Sequence, residues 1–409
     1  MIVEQLSLVD FRNYAAADVA LAPGPNVFVG RNGQGKTNLA EAIGYLATLG
    51  SHRVSQDAPM VRDGADAAIV RARLAHGERR VLLETQINRS GSNKARVNGS
   101  PVKSAELPRH AHVVLFAPED LQIVRGDPAG RRRSADQLLI QRSPRMSAVI
   151  ADYERVLKQR NALLKSARAR GMRAESLSTL DVWDDKLVQL GTEVIRARCA
   201  LAVDLAAPSR DAYTTIAGAD HGASAEWMLS VAGADPEDSL EDAAVTDRAD
   251  EGVVPDRDSV THSFRAALVA KRSNELERGV TLVGPHRDDL VLRLRDLPVR
   301  GYASHGESWS VALSLRLASA HLLRAQSALG DPILILDDVF AELDADRRTR
   351  LAAVAADFEQ VIVTAAVEAD VPGALRARTV QVAAGTILQP DAGATASGVL
   401  PAPGEGPAE

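Results

Sequence analysis

The run Val27-Phe28-Val29-Gly30-Arg31-Asn32-Gly33-Gln34-Gly35-Lys36-Thr37 constrains this chain more than any other stretch. Three apolar residues read as a short buried strand. Gly-x-x-x-x-Gly-Lys-Thr follows, and then Leu39, Ile43 and Leu46 recur at helical spacing between Asn38 and Leu49. Strand, glycine-rich turn and helix in that order make a phosphate-binding loop. Gly30 and Gly35 have no Cβ, so the backbone can curl and aim its N–H groups at phosphate oxygens. The new helix turns its positive end to the same point. Lys36 has the reach for β- and γ-phosphates, and Thr37 offers a hydroxyl to Mg²⁺.

A loop of this kind needs carboxylates delivered from a neighbouring buried strand. Ile333-Leu334-Ile335-Leu336 is fully apolar and ends in Asp337-Asp338. Asp337 can position Mg²⁺, and Asp338 can orient or deprotonate an attacking water. The two motifs stand about 300 residues apart, so the nucleotide domain is expected to be split, with the intervening segment inserted into it. Ser304-His305-Gly306-Glu307 is a third part, at the head of a helix carrying Val311, Leu315, Ala318 and Leu322 on one face. A Ser hydroxyl, a Gly backbone and a helix start suit a γ-phosphate. Ser304 with Glu307 also makes a capping box, and both readings stand together.

At 409 residues the chain is too long for one small core. Aromatics are only 3 %, so the interior must be built from Leu, Val, Ile and Ala. The single cysteine, Cys199, excludes an internal disulfide and suits a reducing cytoplasm. No apolar run reaches the length of a membrane span, and charges run through residues 1–20, so neither a membrane anchor nor a signal peptide is expected. The net charge of −6 misleads about partners. Residues 235–258 hold ten Asp or Glu against two Arg, a local −8 that leaves about +2 for the rest.

Residues 67–75, 80–88 and 94–98 read as antiparallel strands, with Asn98-Gly99 a hairpin turn. They carry Arg71, Arg73, Arg79, Arg80, Arg89, Lys94 and Arg96, either a solvated face or a basic surface that tracks phosphates. Arg125, Arg131-Arg132-Arg133, Arg142 and Arg145 form the densest basic cluster. A helical pair follows over 148–203, turning near 171–181, with Lys158, Arg160, Lys165, Arg168, Arg170 and Arg173 on its first member. Residues 230–260 read as a disordered acidic loop and 390–409 as a disordered tail. The expected organisation is a first lobe over 1–146 with the loop and the basic sheet, a helical arm over 147–280, a completing lobe over 281–389, and the tail.

These motifs, in this order, resemble the ABC-type ATPases of the SMC class, and more narrowly the RecF family of bacterial DNA replication and repair proteins. The resemblance rests on Asp10 to Tyr14, Gly30 to Asn38, Phe116 to Leu121, Arg131 to Arg133, Gly284 to Leu290, Ser304 to Leu317 and Leu336 to Asp344. It implies an α/β fold: an ABC-type ATPase head with a mixed sheet and an antiparallel β subdomain, and an inserted helical arm. It implies ATP and Mg²⁺ as ligands, held by Gly30 to Thr37 and Asp337, with Arg12 and Asn13 near the nucleotide. Lys36, Asp337 and Asp338 would serve catalysis. Ser304 and Gly306 would contact ATP on a second copy, and Asp344 would face that copy. It also implies a weak DNA-stimulated ATPase that dimerises on ATP. Such a dimer would clamp double-stranded DNA or gap junctions through the backbone, act with RecO and RecR in loading recombinase, and support SOS induction at the nucleoid. Three positions depart from the ABC pattern. Asp338 stands for Glu, Thr364 for a switch His, and the signature reads Ser-His-Gly-Glu; the first two imply slow hydrolysis.

Overall fold

The computed structural model describes residues 1–172, 178–233, 253–327 and 329–388. Arg173, most of the acidic stretch (234–252) and the tail 390–409 lie outside the described residues. The chain forms two compact units, one from residues 1–117 with 329 onward, the other from 118–328.

The first unit begins with β1 (Ile2–Phe11), β2 (Tyr14–Ala20), β3 (Gly24–Val29) and α1 (Lys36–Thr48). β4 (Ala67–His76), β5 (Arg79–Asn88), β6 (Lys94–Val97), β7 (Ser100–Val102) and β8 (Val113–Phe116) follow. An antiparallel sheet runs β2-β1-β4-β5-β6-β7. The chain then builds the second unit with α2 (Leu121–Arg125), α3 (Pro128–Arg142), α4 (Arg145–Ala169), α5 (Ser178–Ala217), β9 (Ser224–Met228), α6 (Arg257–Arg278), β10 (Asp289–Leu294), β11 (Leu297–Pro298), the helical turn α7 (Val299–Tyr302) and α8 (His305–Gln326). It returns to the first unit for β12 (Ile333–Asp337), α9 (Ala345–Ala355), β13 (Gln360–Ala365), β14 (Arg378–Ala383) and β15 (Thr386–Leu388).

The returning strands close a second sheet, ordered β15-β14-β3-β13-β12-β8. Pairings from β14 to β8 are parallel and only β15 is antiparallel. Parallel strands are covered on both faces, which is why β12 and β13 are buried along their whole length. Ten of the thirteen residues of α1 are buried, and its Leu39, Ile43 and Leu46 share one apolar core with β1 and β4 on one sheet and Ile335 and Ile362 on the other. The loop at the head of α1 is thereby locked to both sheets.

In the second unit the forty-residue α5 packs on α4, α6 and α8, and β9-β10-β11 form a small antiparallel sheet. Tyr153, Leu187, Ile195, Phe264 and Leu268 fill the core of the helical part.

The structure differs from the sequence reading in three places. The units divide at 117/118 and 328/329, where the sequence placed boundaries at 146/147 and 280/281. The reason is packing: α3 and α8 rest on α5, so the basic cluster and the signature helix belong with the arm. The stretch 230–260 is ordered at both ends, as a 3₁₀ turn at Ser230–Ala232 and as α6, which starts at Arg257 under the Asp256 N-cap. β2, β9 and β14 were not foreseen. Among the described residues no helix is long and apolar enough to cross a membrane.

Candidate functional site

The phosphate loop leaves β3 at the carboxyl ends of the parallel strands, where α/β sheets bind ligands. Close approach forces its glycines. A Cβ on Gly30 would stand 2.2 Å from the Val382 carbonyl oxygen. Gly35 has φ +117°, and a Cβ there would meet the Tyr14 hydroxyl at 2.7 Å. Two hairpin turns brace the loop from outside. From β1-β2, Tyr14 Oη donates to Gly35 O (3.1 Å) and Asn13 Nδ2 to Gln34 O (3.0 Å). From β14-β15, the Ala384 N–H reaches Gln34 Oε1 (2.5 Å) and the Gly385 N–H reaches Gln34 O (3.0 Å). Lys36 is buried, with Nζ 3.4 Å from Arg31 O, folded over the loop it would serve. Arg31, Asn32 and Gly33 are exposed at the loop's tip.

Register brings the second motif alongside. Phe28 of β3 pairs with Thr364 of β13, which pairs with Asp337 of β12. Thr37 Oγ1 donates to Asp337 Oδ1 at 3.0 Å, and Thr364 Oγ1 donates to the same oxygen at 2.5 Å. The Asp338 N–H donates to Thr364 Oγ1 (3.0 Å), which holds Asp338 in a left-handed conformation at φ 51°. A hydroxyl and a carboxylate are hard oxygen donors, the set that suits Mg²⁺ with phosphates and waters completing the octahedron. Thr37 and Asp337 therefore fit that ion.

Not every expected residue points at the loop. Arg12 is one residue from loop-bracing Asn13, yet its guanidinium is committed to Glu41 of α1 (2.7 and 2.5 Å) and to Pro59 O (2.9 Å). It anchors the hairpin to the helix. Glu41 and Tyr14 were missed because they act through contacts distant in sequence. His52 was missed too: its Nε2 lies 3.7 Å from Asp337 Oδ2, buried and without a hydrogen-bond partner among the described residues.

Asp344 caps α9, accepting from the Arg347 N–H (2.8 Å), which holds its carboxyl below the usual range. In the second unit Ser304 and Glu307 make the expected capping box: Ser304 Oγ accepts from the Glu307 N–H (3.2 Å), and Glu307 Oε2 from the Ser304 N–H (2.9 Å). These bonds and Arg295 pull the Glu307 pKa down to about 2. The Gly306 carbonyl accepts from Ser310 Oγ (3.0 Å) inside the first turn of α8.

Residues 2–386 match the family described as RecF/RecN/SMC N terminal domain. The chain is 58 % identical over 398 residues to the DNA replication and repair protein RecF of Clavibacter sepedonicus, covering 97 % of each. This chain belongs to the RecF family. It is 56 % identical to RecF of Leifsonia xyli, covering 95 % of this chain and all of the relative. A solved structure described as the recombination mediator protein RecF-ATPrS in RecFOR pathway superposes with a TM-score of 0.80 at 25 % identity, covering 94 % of this chain and 97 % of that one. The fold is accordingly the α/β ABC-type ATPase head of RecF.

Many basic residues of this RecF-family chain are matched internally. On the antiparallel sheet, buried Arg71 pairs with Glu84, Arg80 with Glu4 (2.8 Å) and Arg89 with three backbone carbonyls. In the second unit Arg131 grips Asp289 through two bonds (2.7 and 2.8 Å), Arg142 meets Asp204 (2.6 Å), and Arg145 meets Glu193. The Gly284–Leu290 motif is largely interior. Its Asp288 accepts from the Ser230 N–H and hydroxyl (both 2.8 Å), and its His286 Nδ1 lies 2.7 Å from Tyr153 Oη. Burial drives the His286 pKa down to about 3, so the ring is neutral.

Proposed function

We propose that this chain is an ATP-gated DNA-binding protein of replication and repair. Two copies, each with ATP and Mg²⁺ on its phosphate loop, close on one another and hold DNA by its backbone, and slow hydrolysis releases it. The observation that carries this reading is the convergence of Thr37 and Thr364 on one oxygen of Asp337, in register beside a loop whose Gly30 and Gly35 have no room for a side chain. The names of the relatives support the replication and repair setting.

The loop N–H groups and the α1 start bind the phosphates, and Lys36 exchanges its contact with Arg31 O for the β- and γ-phosphate oxygens. Thr37 and Asp337 would hold Mg²⁺, which would supply charge neutralisation for the phosphates. Asp338 orients the water that attacks the γ-phosphorus and accepts its proton. Being one methylene shorter than Glu, it reaches less far, which suits a slow switch rather than a motor. Ser304 and Gly306 at the positive end of α8 serve the γ-phosphate on the other copy, with Asp344 at that interface. ATP then acts as the ligand that only the closed dimer satisfies. In this setting RecO and RecR are the partners, gap junctions and duplex DNA the targets, and DNA stimulates the weak turnover.

Light scattering tests the reading, without nucleotide, with ATP and Mg²⁺, and with ATP plus a short duplex. The expected result is a monomer that doubles in mass only with ATP, and fails to do so as Lys36→Met or Ser304→Arg. A mass indifferent to ATP would overturn the dimer mechanism and leave an ATP-binding adaptor without useful turnover.

A further inference from the structure

The second unit contains a cleft of about 660 Å³, between the start of α3, one face of α6, residues 280–287 and the turn α7. Arg132, Lys271, Arg278, Arg287 and Arg300 line it. On α6, Lys271, Asn274 and Arg278 recur at i, i+3 and i+7 and present one polar face to it. The fifteen-residue α3 opens its N-terminal end into the same space through Pro128 and Ala129.

Among the described residues the charge balance is one-sided: the acids on the wall are Asp127 and Asp289, and Asp289 is already neutralised by Arg131. Lys271, Arg278 and Arg300 are exposed and make no ion pair among the described residues. Arg132 donates to the Asp288 carbonyl (2.7 Å) rather than to a carboxylate, and burial, with Arg198 nearby, lowers its pKa. Elsewhere in this unit Arg131, Arg142, Arg145, Arg160, Arg198 and Arg272 each hold an acid. In the cleft, Lys271, Arg278 and Arg300 gather with no acid among the described residues to hold them.

We propose that this cleft holds the phosphates of a nucleic-acid strand, a site separate from the nucleotide loop of the first unit. The inference rests on the DNA-binding reading above and deepens it. Forked guanidinium donors and an Asn amide match phosphate oxygens. Among the described residues no Phe, Tyr or Trp lines the cleft as a stacking platform, so the strand is gripped by its backbone and its sequence is not read. The volume is that of a pocket, not of a long track, so a short run of phosphates enters it.

The test is fluorescence anisotropy of a labelled single-stranded oligonucleotide across a salt series, with the full chain. Lys271→Ala/Arg278→Ala/Arg300→Ala removes three exposed cations. Arg79→Ala/Lys94→Ala/Lys103→Ala, exposed on the antiparallel sheet (Arg79, Lys94) and just after its last strand (Lys103), is the matched control. The cleft triple is expected to weaken binding at least ten-fold and to flatten the log–log salt slope by about 2, at roughly 0.7 per lost phosphate contact. ATP binding should be unchanged. Equal losses in both triples would mean a diffuse field and overturn the site. So would a cleft triple that binds as wild type, leaving DNA binding itself intact. Displacement of the oligonucleotide from wild type saturated with ATP and Mg²⁺ by pyrophosphate, with ATP still bound, as effectively as by unlabelled strand would overturn the strand assignment in favour of free phosphates. Wild type that binds no DNA in any nucleotide state would bring down the DNA reading and the cleft together.

Discussion

Thr364 Oγ1 donates a 2.5 Å hydrogen bond to Asp337 Oδ1, between residues paired in the register of β13 and β12. The same hydroxyl accepts from the Asp338 N–H. One side chain therefore orients both carboxylate residues of the motif. Thr364 cannot act as a proton acceptor in the manner of His, but as a donor it fixes which Asp337 oxygen stays open. Thr364→Val keeps the shape and removes the hydroxyl. Nucleotide affinity is expected to hold while turnover falls about 10- to 100-fold, the usual effect of losing a partner behind a metal ligand. Single-turnover hydrolysis beside a nucleotide titration would show the split. Undiminished turnover would mean the hydroxyl is only packing.

The Gly35 φ of +117° and the 2.7 Å approach of its missing Cβ to Tyr14 Oη make that position intolerant of any side chain. Gly35→Ala is expected to lose nucleotide binding by at least ten-fold and to cost about 1–3 kcal/mol of stability from backbone strain. Tyr14→Phe in the same chain removes the nearest clashing oxygen but leaves the ring carbon and Asn13 Oδ1 at 2.9 Å, and the strain, so it should restore only part. Full restoration by the double variant, in nucleotide titration and urea denaturation, would show that the hydroxyl contact alone mattered.

How much of this was legible beforehand follows from where each signal resides. β3, β12 and β13 are buried on both faces, so they appear as unbroken apolar runs, and their chemistry sits at their ends in plain sequence. β2 is invisible because Ala15, Ala16, Ala17 and Ala20 carry almost no strand preference. The loop's braces are unreadable for a different reason: Tyr14 meets Gly35, and Gly385 meets Gln34, only in space. His52 stands alone among polar neighbours after α1, with no period to mark it. Charge runs were the least informative. Arg131 reads as part of a basic triplet, but it is buried against Asp289, 158 residues away. Its neighbour Arg132 lines an open cleft.

Arg160 shows the cost of such pairing. Its fully buried guanidinium bonds Asp184 (2.6 Å), Glu275 (2.6 Å) and Thr281 Oγ1 (2.8 Å). Arg272 also reaches Asp184, but Glu275 has no second cation at hand among the described residues. Burial already raises the Glu275 pKa. Arg160→Met is expected to destabilise the second unit by about 3–5 kcal/mol, because it strands a buried carboxylate. Arg160→Met/Glu275→Met should recover more than half of that loss, measured by denaturant melts. A double variant no better than the single would shift the cause from charge to packing.

Asp288 makes the same argument in pH. Burial raises its pKa from 3.8 to about 6, against the opposing pull of the Ser230 hydrogen bonds, Arg198 and Arg132. Its Oδ2 has no hydrogen-bond partner among the described residues. A carboxyl raised on folding favours the native state while it is protonated. Its contribution is fully present below the unfolded value of 3.8 and is lost as pH rises through about 6. Asp288→Asn keeps the acceptor for Ser230 and carries no charge at any pH. From about pH 4 to about pH 7, wild type should lose about 2–3 kcal/mol of stability relative to the Asn variant, at about 1.4 kcal/mol for each tenfold change in proton affinity on folding. Paired melts cancel every other titrating group, so parallel curves for the two proteins would place Asp288 among ordinary carboxylates. A divergence in this direction would make its buried charge a standing cost, one the motif around Gly284 bears at neutral pH.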